Sequence, residues 1–250
     1  MDIVPRNVLR SISENQSEKD FSMATMRLPI SIFLFMILCS ASPAEADEFS
    51  ELKAKAKSGE AIPQYNLGSF YETREGKGKG KRRDKNKAKN DQQAVYWYTK
   101  AAEQGLASAQ FNLGRMYVTG KGITRDVELG VSWQLQAAEQ GLAGAQFTMG
   151  KRYFSGVGLT QDYQQALDMF LRAAEQGFVD AENQLGVMHF KGEGVPKDNV
   201  QAHKWFNIAA TSGDESAKRY RSLLVEIMDP EQIEEAQGLA MKWLAEHEVD

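Results

Sequence analysis

Ala-Ala-Glu-Gln-Gly stands unchanged at residues 101–105, 137–141 and 173–177, and a worn copy, Ala-Ala-Thr-Ser-Gly, fills 209–213. The closing glycines, Gly105, Gly141, Gly177 and Gly213, are 36 residues apart. A fixed period of about 20 to 50 residues marks a repeat architecture, in which one small unit is stacked many times. Every local motif in the chain is therefore weighed against its recurrence.

Upstream of each copy lies a helical stripe. In the second repeat Ala109, Leu113, Gly114 and Tyr117 fall on one face, Gly120-Lys121-Gly122 breaks the helix, and Asp126 is placed to N-cap the next one. That next helix carries Leu129, Trp133, Ala137 and Ala138 and ends before Gly141, a position suited to left-handed backbone. The third repeat reads Ala145, Met149, Gly150, Tyr153, Gly156, Gly158, Asp162, Ala166, Met169, Ala173, Ala174. The fourth reads Ala181, Leu185, Gly186, His189, Gly192, Gly194, Asp198, Ala202, Trp205, Ala209, Ala210. The first has Pro63 in the Ala slot, then Leu67, Gly68, Tyr71, Gly76, Gly78, Ala94, Trp97, Ala101 and Ala102.

The pattern A-x3-LG-x2-Y-x2-G-x-G followed by D-x3-A-x2-W-x3-AA-x2-G resembles the Sel-one-like repeat (SLR) family, relatives of the tetratricopeptide repeats. The resemblance covers about residues 58–213, with departures at Pro63, Gly130, Met149, Met169 and His189. It implies an all-α, right-handed α-solenoid of 36-residue helix-turn-helix repeats with capping helices at both ends. The expected layout is an N-terminal extension and signal over 1–46, a capping helix over 47–60, repeats over 61–105, 106–141, 142–177 and 178–213, and C-terminal capping helices over 214–250.

The ends differ from the repeats. Residues 1–22 are polar without periodicity. Arg27 then precedes an apolar run over 28–39 and a small-residue A-x-A site, Ala44-Glu45-Ala46. That order predicts a secretory signal cleaved after Ala46, with Met23 or Met26 as the start; the twelve apolar residues are too few to span a bilayer. An uncleaved anchor is the alternative. Lipidation at Cys39, the one cysteine, is disfavoured by Leu38 before it. A single cysteine also rules out a disulfide within one chain and a cysteine zinc site. At the other end Asp229-Pro230 opens a last helix whose apolar face is Ile233, Ala236, Ala240, Trp243 and Leu244.

One segment belongs to no slot. Gly68 to Ala102 is ten residues longer than the matching interval in the other repeats. The excess lies within residues 74–91, which hold nine cations, Arg74, Lys77, Lys79, Lys81, Arg82, Arg83, Lys85, Lys87 and Lys89, and three carboxylates. The rest of the chain from Asp47 onward holds 17 basic and 26 acidic residues. With Ala88 its only apolar side chain, the insertion is expected to be a disordered loop. It reads either as a solvated loop or as a contact for an anionic partner such as lipid head groups, polysaccharide or an acidic protein face. Nucleic acid is not expected as a partner of an exported chain.

Catalytic signals are weak. Ser50 to Lys53 fits S-x-x-K and Lys57-Ser58-Gly59 fits K-[ST]-G, but the two lie side by side in the capping helix and no S-D-N joins them. Gly-x-Gly recurs once per repeat between helices, which is turn chemistry and not a phosphate loop. Asp126, Asp162 and Asp198 recur as one cap per repeat. His189, His203 and His247 have no second histidine four residues on and read as structural. No catalytic residue, metal or cofactor is assigned.

Comparing repeats exposes positions that packing leaves free. Asn112/Thr148/Gln184 and Arg115/Lys151/Val187 vary in size and charge and lie three apart, on one face of the first helices. With Arg152 they are expected to form a groove with a basic spot, taking an acidic segment of a partner protein. The resemblance implies a non-enzymatic scaffold for protein–protein interaction in the bacterial envelope or at the host interface, periplasmic or secreted, and monomeric. Two other readings are a β-lactam-binding or hydrolytic protein, as among cysteine-rich relatives, and a glycan- or peptidoglycan-associated component using the basic loop.

Overall fold

The computed structural model describes residues 43–74 and 80–247. The apolar run 28–39, Met23, Met26, Cys39, Lys77 and Lys79 lie outside them, and with them the core of the signal reading. The chain divides between Glu48 and Phe49; of the first part only the start of one helix is described, and the fold below is that of the second.

Among the described residues there are eleven α-helices and no strand. After α1 (Pro43–Lys57) they come in pairs: α2 (Ala61–Thr73) with α3 (Lys81–Glu103), α4 (Ala107–Thr119) with α5 (Val127–Glu139), α6 (Ala143–Ser155) with α7 (Tyr163–Ala174), and α8 (Val179–Lys191) with α9 (Asn199–Thr211). α10 (Glu215–Ile227) and α11 (Pro230–Glu246) close the series, and both pack on α9. From α2 to α9 each helix packs against the one before and the one after, so the chain is an all-α solenoid with no central core.

The expected caps are present. The Asp126, Asp162 and Asp198 carboxylates accept from backbone N–H groups in the first turns of α5, α7 and α9. The same three residues donate their own N–H back across the turn, to the carbonyls of Tyr117, Tyr153 and His189. Gly120, Gly156 and Gly192 end the first helices in left-handed backbone. Asp229 and Gln232 form a capping box with Pro230 in the first turn of α11.

Within a pair the helices meet at the glycine of the first helix. A Cβ on Gly68, Gly150 or Gly186 would lie under 3 Å from the ring of Tyr98, Phe170 or Phe206 respectively. The second repeat does this differently. Gln134 stands at the ring position, and Gly114 and Gly130 bring their backbones together instead, each Cβ position lying within 2.7 Å of the other's carbonyl oxygen. Gly130 thus fills the Ala slot of this crossing, and Leu129, expected on the buried stripe, is turned out to solvent.

One correction concerns the first repeat. The insertion is not a disordered loop from Lys81 onward: α3 runs from Lys81 to Glu103, 23 residues against 13 in α5. Ten inserted residues have become ten more residues of helix. Composition pointed to disorder, but the segment is tied down at two places. Lys87 Nζ donates to the Glu72 carbonyl and pairs with Asp91, and Asn90 donates to the Arg74 carbonyl.

The junctions between repeats carry an amide relay that the sequence reading missed. Gln64, Gln110 and Gln146, all buried, donate to the carbonyls of Ala56, Ala102 and Ala138 near the end of the preceding helix. Each side-chain oxygen then accepts from a second amide, that of Gln104, Gln140 and Gln176, at 2.6, 2.6 and 2.7 Å. In the fourth repeat these positions are Glu182 and Ser212. Glu182 is 4% exposed and its Oε2 has no hydrogen-bond partner. Asn183 donates instead to Asp214, one step along. Burial pushes the Glu182 carboxyl up to about 7.

Three outcomes follow from this packing. Gly150→Val should cost about 1–3 kcal/mol in urea denaturation. Gly144→Ala, at a helical glycine with nothing within 4 Å, should raise stability by about 0.5–1 kcal/mol. Because folded Glu182 holds its proton more tightly than the unfolded chain does, stability should fall as pH rises from about 4.5 to about 7, by about 3 kcal/mol. Glu182→Gln should flatten that slope and raise the melting temperature above pH 7. A slope unchanged in Glu182→Gln would assign it to other groups.

Candidate functional site

The groove residues divide into two environments. Around Arg115 the positive charge is already satisfied. Glu72, in the last turn of α2, accepts from Arg115, from Lys121 Nζ at 2.9 Å and from the Tyr98 hydroxyl at 3.0 Å. Burial works to raise the Glu72 carboxyl, but the hydrogen bonds from Arg115 and Lys121 and the charge of Arg115 outweigh it and hold it at about 2. Burial, together with the Glu72 charge, pushes the Tyr98 hydroxyl up. Arg115 is therefore not part of a free basic spot.

The reason appears when the repeats are set in register. The positions matching Glu72 are Val118, Phe154 and Phe190. A carboxylate faces the next repeat's cation only in the first repeat. Lys151, which stands where Arg115 stands one repeat earlier, finds Val118 in that place; it is exposed, and no carboxylate of the described residues pairs with it. Its Nζ lies over the Phe147 ring, 5.4 Å from the centroid.

Arg152 occupies the slot of Met116 and Met188, both fully buried. Its Nε donates to Gln134 Oε1 at 2.9 Å and its Nη1 to the Val157 carbonyl at 3.0 Å. Burial lowers its pKa. Gln134 and Arg152 are thus one coupled exchange, in which an aromatic and a methionine of the other junctions become a hydrogen-bonded polar pair.

Lys151 and Arg152 open on a cleft of about 440 Å³, which Thr148 and Gln184 also line and whose apolar walls are Phe147, Phe154, Val157 and Phe170. No carboxylate of the described residues lines it. Four of the six expected groove residues thus come together here; Asn112 and Arg115 belong to the preceding repeat. The cations of α3 form a separate place, far along the chain of contacts from this cleft.

The remaining candidates lie outside this cleft. Ser58 Oγ lies 2.7 Å from the Lys55 carbonyl and 3.0 Å from Glu60 Oε1, at the end of α1. Burial lowers both His189 and His203, the latter also through Arg221. The His247 ring stacks on Trp243 at 3.8 Å. Trp243 also meets Trp205, and Lys204 Nζ lies over both indoles, which fastens α11 to α9. Among the described residues no helix is long and apolar enough to cross a membrane.

Stacked helix pairs with a side-chain face along the first helices define a tetratricopeptide-like α-solenoid. The chain matches the Sel1 repeat at residues 64–106, 107–142, 143–178 and 179–214, and it belongs to the Sel1 repeat family. Sel1 repeats serve in general as non-catalytic scaffolds for protein–protein interaction. Among solved structures the chain is similar to c5321, a protective antigen present in uropathogenic Escherichia coli strains, at 34% identity and a TM-score of 0.68 over 87% of this chain and 44% of that one. A Sel1 repeat protein from Oxalobacter formigenes is 32% identical, with a TM-score of 0.58 over 74% of this chain and 71% of that one. The chain therefore spans less than half the length of c5321. No curated protein matches it.

Removing the Glu72 carboxylate leaves Arg115, Lys121 and Tyr98 without their acceptor. Glu72→Ala should cost about 1–3 kcal/mol in chemical denaturation. In the wild type this contribution should be complete above about pH 4.5 and fade as pH falls toward 2, since the folded carboxyl titrates below the unfolded one.

Proposed function

We propose that the chain is a non-enzymatic scaffold of the bacterial envelope or the host interface, and that the cleft of the third repeat is where it takes a partner. The partner segment is acidic and carries an apolar side chain beside its carboxylates. The observation behind this is the cleft itself: Lys151 and Arg152 at the edge of an apolar hollow with no carboxylate in its lining. A carboxylate arriving there would meet Lys151, which has no ion-pair partner among the described residues, while Phe147, Phe154 and Val157 would cover the adjoining apolar group.

Location outside the cytoplasm rests on the apolar run 28–39 and the Ala44-Glu45-Ala46 site. The description of c5321 as a protective antigen fits that placement. Nothing in the geometry favours the hydrolytic or the glycan reading.

The test is direct binding of a fluorescein-labelled peptide with alternating Glu and Phe, compared with its Gln-for-Glu twin. The acidic peptide should bind more tightly at low salt. Lys151→Glu should weaken it about tenfold or more while leaving the melting temperature in place. Equal binding of the two peptides, or no loss in Lys151→Glu, would remove the cleft as the site.

A further inference from the structure

Four cations of the ten added residues of α3 lie in one stripe. Lys81, Lys85 and Lys89 are four apart, hence about 6 Å apart along the helix and on one face, with Arg82 at its edge. All four are exposed. None has an ion-pair partner among the described residues, whereas Lys87, on the opposite face, is engaged by Asp91 and the Glu72 carbonyl. The stripe also sits at the wrong end of its helix. The N-terminus of a helix carries partial positive charge, which favours carboxylates and disfavours cations. The first turn of α3 has Lys81, Arg82, Arg83 and a single acid, Asp84. A sequence that breaks a local rule without repaying it inside the fold points outward.

The complementary surface is on the same chain. From Glu226 to Glu235 there are five carboxylates and no cation. Asp229 caps α11, but Glu226, Glu231, Glu234 and Glu235 are exposed and without ion-pair partners among the described residues. Glu231 and Glu235 share the four-residue step of the lysine stripe, with Glu234 beside them, so the two helices can pair charge for charge when laid side by side. They do not do so within one molecule: α3 lies chiefly against α2 and α4, and α11 chiefly against α9.

We propose that the chain associates with a second copy of itself, the cationic stripe of α3 in one copy lying on the carboxylate face of α11 in the next. The ten added residues offer no apolar side chain but Ala88, so the contact is electrostatic and salt-dependent. The two surfaces differ, so the contact is head-to-tail: each copy that joins leaves one stripe and one acidic face open, and assembly continues until a ring closes. This replaces the expectation of a plain monomer and is independent of what the third-repeat cleft binds.

Sedimentation equilibrium of the full chain tests it. In about 0.01 M salt, where the screening length is about 30 Å, the weight-average mass should rise with concentration above the 27.9 kDa of one chain; in about 1 M salt, where it is about 3 Å, it should return to that value. The fourfold reversal Lys81→Glu, Arg82→Glu, Lys85→Glu, Lys89→Glu should abolish the rise. So should Glu231→Lys, Glu234→Lys, Glu235→Lys. An equimolar mixture of the two reversed proteins should associate again at low salt, a rescue that misfolding cannot mimic. Wild type that stays at one-chain mass in low salt overturns the proposal, even if its stripe then binds phosphatidylglycerol vesicles. Association that survives both reversals or high salt overturns it too.

Discussion

Everything in this solenoid depends on how closely the two helices of a repeat cross. At Gly68, Gly150 and Gly186 the missing Cβ is replaced by the ring of a residue four positions beyond the small-residue slot of the partner helix. The ring fills the space that a larger residue would need to hold the helices apart, so each hairpin closes on itself. Only then do the alanines at 101, 102, 137, 138, 173 and 174 lie buried against the next hairpin. One contact therefore sets both the thickness of a repeat and its fit to its neighbours. The second repeat keeps the distance with a glycine on each side, which shows that the constraint is the approach and not the ring.

The period, the caps and the crossing glycines were legible in the sequence because each is local and recurs. Asp126, Asp162 and Asp198 needed only their place before a helix to be read. What escaped was of two kinds. The basic insertion was judged by composition, yet its helix is held by Lys87 and Asn90 reaching the end of α2, contacts that no local pattern displays. Arg115 looked free because its own slot varies; its partner Glu72 lies 43 residues away in a slot otherwise apolar. Of the proposed cleft, Thr148, Lys151, Arg152 and Gln184 were found by asking which positions packing leaves undetermined, but the walls of Phe147, Phe154 and Val157 needed coordinates. The amide relay was in plain view as recurring glutamines and went unread because glutamine carries no strong structural expectation.

The fourth repeat stands apart. Glu182 replaces a relay glutamine, His189 a tyrosine, and His203 stands in the core where Val95, Val131 and Leu167 stand in the others. Buried atoms of Glu182, Asn183, His189, Glu193, Asn199 and His203 lack hydrogen-bond partners. Buried polar groups without partners lower stability. Among the described residues all such atoms but Asp91 Oδ1 of the first repeat lie in the fourth. The folded chain compensates with aromatic surface: Phe206 stacks on Tyr220, and Trp205, Lys204 and Trp243 clasp α11 against α9.

The relay also has a mechanical meaning. At the first three junctions two side-chain amides in series link the end of one helix to the next repeat, so a load along the stack is shared between apolar contact and hydrogen bonds that must break together. At the junction between α7 and α8 that series is absent. A stack in which each unit grips only its neighbour is as strong as its weakest grip. Drawn from its two ends, the molecule would part there first, shedding its last repeat and closing helices as one piece while the first three repeats stayed folded.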